Sequence, residues 1–134
     1  MRARSLVSAF GLAALVAVFP ADAGPTAAAI PGSQFSGYGT PLLVTTVDGA
    51  ITFTNADPLA SHDLVAWQAY GSEEAEWCGL YPVGRCPLFW TRLISFTQSA
   101  TVQGLDAVTP GQMYTFYCSI HPLQMKGTLI VVPA

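Results

Sequence analysis

The sequence predicts an all-β domain, an antiparallel sandwich or barrel, and three observations carry that reading. Short runs rich in β-branched and aromatic residues recur along the chain, several alternating apolar with polar as a half-buried strand does. Turn signals separate them, among them Asp48-Gly49, Asp57-Pro58 and Pro110-Gly111. No stretch after residue 24 shows a long, capped helical pattern.

Taken in chain order, the first element is not part of the fold. Arg2 and Arg4 precede an apolar run of about 15 residues, and small residues follow at Ala21 and Ala23 around Asp22. Basic, apolar and small in that order read as a secretory signal peptide over residues 1–23, cut after Ala23 or else after Ala29. The run is shorter than the roughly 20 residues a membrane-crossing helix needs. Residues 24–40, rich in Gly, Ala, Pro and Ser without sustained periodicity, are expected to be a flexible N-terminal segment. The domain is expected over residues 41–134. Its strands are expected at residues 42–47, 50–55, 62–67, 89–96, 101–104, 113–118 and 127–132, with room for one helical turn within residues 72–84.

Removing residues 1–23 leaves 111 residues, the size of one domain and too few for two independent cores. The remaining charges are three cations, Arg85, Arg92 and Lys126, against seven carboxylates, a net charge of −4. Phosphate binding needs clustered Lys and Arg, so nucleic acid is excluded as a partner class. Glu73, Glu74 and Glu76 form the one acidic cluster, which reads as a solvated loop before it reads as a docking site for a cationic partner.

The three cysteines are unequal. Cys78 and Cys86 flank a short loop containing Gly and Pro, and export into an oxidising compartment makes their disulfide the first expectation, with two free, partly buried thiols the other reading. In the chain-entropy account so small a loop contributes about 2.5 kcal/mol. Cys118 is then the odd cysteine, at the end of an alternating aromatic run, and an odd cysteine in an exported chain needs an explanation.

Its neighbours supply one. Residues 114–127 read Tyr-Thr-Phe-Tyr-Cys-Ser-Ile-His-Pro-Leu-Gln-Met-Lys-Gly, so a strand delivers Cys118 and a tight loop returns His121 and Met125. A soft thiolate, borderline imidazoles and a weak thioether suit copper in both oxidation states, whereas zinc would have little use for the thioether. One loop supplies one imidazole, and the chain holds one other histidine, His62, at the start of a predicted strand. Alone, each residue has an ordinary role: Met125 and Cys118 as core packing, His62 as a satisfied side chain. Their joint spacing is what points to metal.

That spacing resembles the plastocyanin/azurin group of cupredoxins over roughly residues 41–133. The resemblance implies a Greek-key sandwich of about seven or eight strands and one copper ion held by His62, Cys118, His121 and Met125. It further implies that Asp63 stands where a polar residue braces the ligand loop, and that Ser119 matches the serine after the thiolate in plastocyanins. Between His121 and Met125 lie Pro122, Leu123 and Gln124, a loop intermediate between those of plastocyanins and amicyanins. Pro122 and Leu123 are expected to form the apolar patch through which an electron reaches His121.

The function so implied is one-electron transport by an exported, monomeric, periplasmic or extracellular protein with redox partner proteins. The alternative is copper storage, delivery or tolerance, and a third reading is a metal-free interaction module. Two histidines cannot build the second copper centre of an oxidase or nitrite reductase, and no substrate-activating group is visible, so the expectation is not an enzyme.

Overall fold

The computed structural model describes residues 24–67 and 86–134. The expectations on residues 1–23, the helical turn within 72–84, the acidic cluster and Cys78 lie outside the described residues. Among those described, seven strands form two sheets. β1 (Thr26–Ala29), β3 (Thr52–Asn55) and β5 (Ser99–Thr101) make one, in the order β1-β3-β5. β2 (Leu42–Thr46), β7 (Lys126–Val132), β6 (Met113–Tyr117) and β4 (Val65–Ala66) make the other, in that order. A single turn of helix, α1 (Ser33–Ser36), joins β1 to β2, and a 3₁₀ turn occupies Leu105–Ala107.

The sandwich is as expected, and the pairings β3·β5, β4·β6 and β6·β7 are antiparallel. Two others, β1·β3 and β2·β7, are parallel, so both sheets are mixed. The chain crosses to the opposite sheet between β1 and β2 and back between β2 and β3. Such a crossover, unlike a hairpin, permits neighbours to run the same way.

Two expectations need correction. Residues 24–40 are built into the domain: β1 pairs with β3 in register Thr26↔Thr52 to Ala29↔Asn55, and Ala27, Ala29, Ser33 and Tyr38 are buried. Their small side chains, which suggested a flexible segment, are what lets this strand lie against the core. Residues 89–96 form isolated bridges rather than a strand, because they divide their backbone bonds between two partners. Phe89 and Thr91 bond Ala66 and Leu64, Ile94 bonds His62, and Trp90 turns to Gln103 on the other side.

Phe53, Phe89 and Phe116 are fully buried between the sheets, and Tyr38 packs edge-on against Phe53 and Phe116 with ring centroids 6.0 and 5.1 Å apart. Burying one such ring stabilises the domain by about 1.5–3 kcal/mol. Phe116 lies so close over Gly127 that a Cβ there would overlap the ring and come within 2.7 Å of the Pro41 carbonyl. This glycine therefore sets how closely β6 and β7 approach just below the Cys118 loop. Among the described residues no helix is long and apolar enough to cross a membrane.

Candidate metal centre

Cys118 follows the last residue of β6 and shares its inward side with Tyr114 and Phe116 through the two-residue period of a strand. Its thiol is thereby aimed into the end of the sandwich, where it is fully buried. The chain then folds back on itself: His121 N–H donates to the Cys118 carbonyl at 3.1 Å, Met125 N–H to the His121 carbonyl at 3.0 Å, and Cys118 N–H to the Met125 carbonyl at 3.1 Å. These three bonds close the loop into a rigid cup before β7 begins. Met125 is fully buried and packs in the same apolar cluster as Cys118.

His62 arrives from a different part of the chain. A reciprocal pair of backbone hydrogen bonds with Ile94, 3.0 and 2.9 Å, anchors it ahead of β4. Its ring is fully buried, with the centroid 5.0 Å from that of His121. Cys118 Sγ lies 3.8 Å from His62 Nδ1 and 3.6 Å from His121 Nδ1. Three donor atoms from three residues thus fall within 4.8 Å of one another, a group able to hold a metal ion.

The groups around this trio fix it in place. Asp63 accepts from the Ser119 N–H at 2.7 Å through one carboxylate oxygen and from the Ser119 hydroxyl through the other, tying the segment carrying His62 to the residue after Cys118. Tyr38 donates its hydroxyl to the Asp63 carbonyl at 2.6 Å, so the buried N-terminal segment also braces the site. On the far side of the His62 ring, Nε2 meets Asp57 Oδ2 at 2.8 Å, both side chains fully buried.

Burial dominates the electrostatics. It pushes the Cys118 thiol up to about 11, and the backbone N–H groups of Asp63 and Ile120, which donate to the sulfur, only partly offset it. Burial, and then the neighbouring His62, hold the His121 imidazole below its ordinary value, keeping it neutral and fit to coordinate. For Asp57, burial would raise the carboxyl, but hydrogen bonds from His62, Leu59 N–H and Gly32 N–H together outweigh it and hold the group below its ordinary value.

The structure brings several of the sequence-predicted site residues together at this end of the sandwich. His62, Cys118 and His121 converge, Asp63 and Ser119 bond each other, and Pro122 and Leu123 are exposed beside a half-buried His121, with Leu123 79% accessible. Cys86 is buried, and its expected partner Cys78 lies outside the described residues. Sequence reasoning missed Asp57, marked only as part of a turn with Pro58, and Tyr38, assigned to a flexible segment. A carboxylate five positions before the upstream histidine was the available signal for Asp57.

The donor set also fits copper chemically: one thiol, two imidazole Nδ1 atoms and a buried thioether on the same loop are the soft and borderline donors that suit both of its oxidation states. No family model and no curated relative matches the chain. Solved structures do match it. A reduced Cu(I) form of an amicyanin variant at pH 4 superposes with a TM-score of 0.55 over 83% of this chain and 84% of its own, at 21% identity. A Cu(I) form of a second amicyanin variant gives 0.55 at 22% identity over the same shares. A purple cupredoxin from Nitrosopumilus maritimus gives 0.56 at 18% identity over 80% of this chain and 98% of its own.

Proposed function

From the cupredoxin fold that these structural matches establish, we propose that the chain is an exported type 1 copper protein that carries single electrons. The carrying observation is the buried Cys118 thiol standing 3.6 and 3.8 Å from the Nδ1 atoms of two histidines brought together from opposite halves of the domain. His62, Cys118 and His121 would hold the ion, with the Met125 thioether as a further, weaker donor. Bound there, copper would supply a one-electron couple.

The chain's own contribution is rigidity and exclusion of water. The three backbone bonds of the Cys118–Met125 loop, the Ile94 anchor on His62 and the Asp63–Ser119 clamp hold the donors in one arrangement. A site that need not rearrange between oxidation states exchanges electrons with little reorganisation. The Asp63 and Ile120 amides donate to the thiolate and temper its charge. His121, half-buried next to exposed Pro122, Leu123 and Ile120, is the edge at which a redox partner protein meets the site. Export through the segment 1–23, a Cys78–Cys86 disulfide and a monomeric state complete the reading, with electron carriage rather than catalysis as the activity.

The test is a visible spectrum of the Cu(II)-loaded protein beside Cys118→Ser. An intense thiolate-to-Cu(II) charge-transfer band that disappears in the variant is expected. A folded wild type that takes up Cu(II) without such a band rules out the electron carrier and leaves copper delivery or storage.

A further inference from the structure

The pairing of Asp57 with His62 goes beyond what orienting a ligand requires. Both side chains are fully inaccessible, and the His62 ring is wedged between the Asp57 carboxylate at Nε2, 2.8 Å away, and the Cys118 sulfur at Nδ1, 3.8 Å away. The carboxylate is itself held from several directions. Leu59 N–H donates to Oδ1 at 3.0 Å, the Gly32 amide also donates to it, and the Asp57 N–H donates to Asn55 Oδ1 at 2.8 Å. Asn55 in turn donates its side-chain amide to the carbonyls of Ala60 and Ile94, at 2.9 and 3.0 Å. Ile94 is the residue whose backbone anchors His62, so the 55–60 loop and the ring form one interlocked unit.

A backbone carbonyl at Nε2 would be enough to orient the imidazole. It would accept the Nε2 proton and leave the Nδ1 lone pair free. A carboxylate adds a full negative charge where water cannot screen it, and burying such a charge is costly unless a cation compensates it. A neutral imidazole compensates it only in part. A cation at Nδ1 completes the compensation through the ring, and a doubly charged ion does so better than a singly charged one.

We propose that Asp57 is a positioning residue that fixes His62 as its Nε2-protonated tautomer and, by its charge, biases the centre toward the more highly charged oxidation state of the bound metal. The proposal rests on the copper reading above and names the residue that sets the poise of that site. Removing the charge while keeping the shape, by Asp57→Asn, therefore weakens Cu(II) binding more than Cu(I) binding. Losing such a partner of a ligating histidine costs about 10–100-fold in metal affinity. Each tenfold fall in the Cu(II)/Cu(I) affinity ratio raises a one-electron potential by about 59 mV.

Two measurements test it on the intact protein. In the metal-free wild type, ¹⁵N NMR of the His62 ring is expected to show the proton on Nε2; a proton on Nδ1 overturns the proposal without any variant having to fold. In the copper-loaded protein, voltammetry of Asp57→Asn is expected to show a rise of at least one tenfold step with the charge-transfer band retained. A retained band with an unmoved potential overturns the role of the charge while leaving the copper reading standing. A wild type without the band overturns both.

Discussion

The clamp between Asp63 and Ser119 can be tested quantitatively, because it joins two segments 56 residues apart through bonds that single changes remove. Ser119→Ala deletes the hydroxyl donor and leaves the backbone donor in place. Asp63→Ala deletes the acceptor of both. A hydrogen bond to a charged group is worth about 1.5–3 kcal/mol net, and the alanine at 63 leaves the Ser119 N–H without its acceptor. Returning a buried carboxylate's share of desolvation offsets part of the loss. The expected cost is therefore about 3 kcal/mol for Asp63→Ala and about 2 kcal/mol for Ser119→Ala, with the double variant little worse than Asp63→Ala. The resulting coupling energy is about 2 kcal/mol. Urea unfolding of the metal-free protein, followed by far-ultraviolet circular dichroism in a double-mutant cycle, measures it directly. A coupling below about 0.5 kcal/mol would show that the two side chains act independently. The clamp would then explain neither the stability of this end of the sandwich nor the fixed separation of Cys118 and His62.

Two further outcomes follow from the same site. The folded-state value of the Cys118 thiol is raised from 9.0 to about 11 by burial, so the neutral thiol's contribution is fully present below pH 9 and is lost as pH rises through 11. Metal-free wild type should lose stability across that window in thermal melts, and Cys118→Ser should lose less. At the base of the ligand loop, Gly127→Ala forces a methyl against the Phe116 ring and the Pro41 carbonyl, and is expected to cost about 1–3 kcal/mol in chemical denaturation. A variant as stable as wild type would mean that β6 and β7 can separate at no cost, against the closeness argued for the Cys118 loop.

Much of the site is legible in the sequence because three of its candidate donors share one short loop. Cys118, His121 and Met125 lie within eight residues, so a strand that ends and a turn that returns suffice to place them together. With only one other histidine in the chain, the fourth donor follows by counting. The β character of the domain is equally local: alternation in 113–117 and the β-branched 128–132 run report directly which side chains face inward.

What depends on distant contacts is not visible that way. Residues 26–29 become a strand because β3 offers an edge and their small side chains fit against the core, neither of which their own composition reveals. Residues 89–96 have strand-like composition yet split their bonds between two partners. The parallel pairs reflect the chain's crossing between sheets, a property of topology rather than of any segment. Asp57 acquires its role the same way. A carboxylate in a turn is ordinarily solvated, and it becomes a buried partner of the His62 imidazole only when the Gly32 turn, the 55–60 loop and the Ile94 backbone close around it. Residue type and spacing select the metal chemistry, since donor softness is intrinsic to each side chain. The electrostatic setting of that chemistry is decided by burial, which only the assembled domain defines.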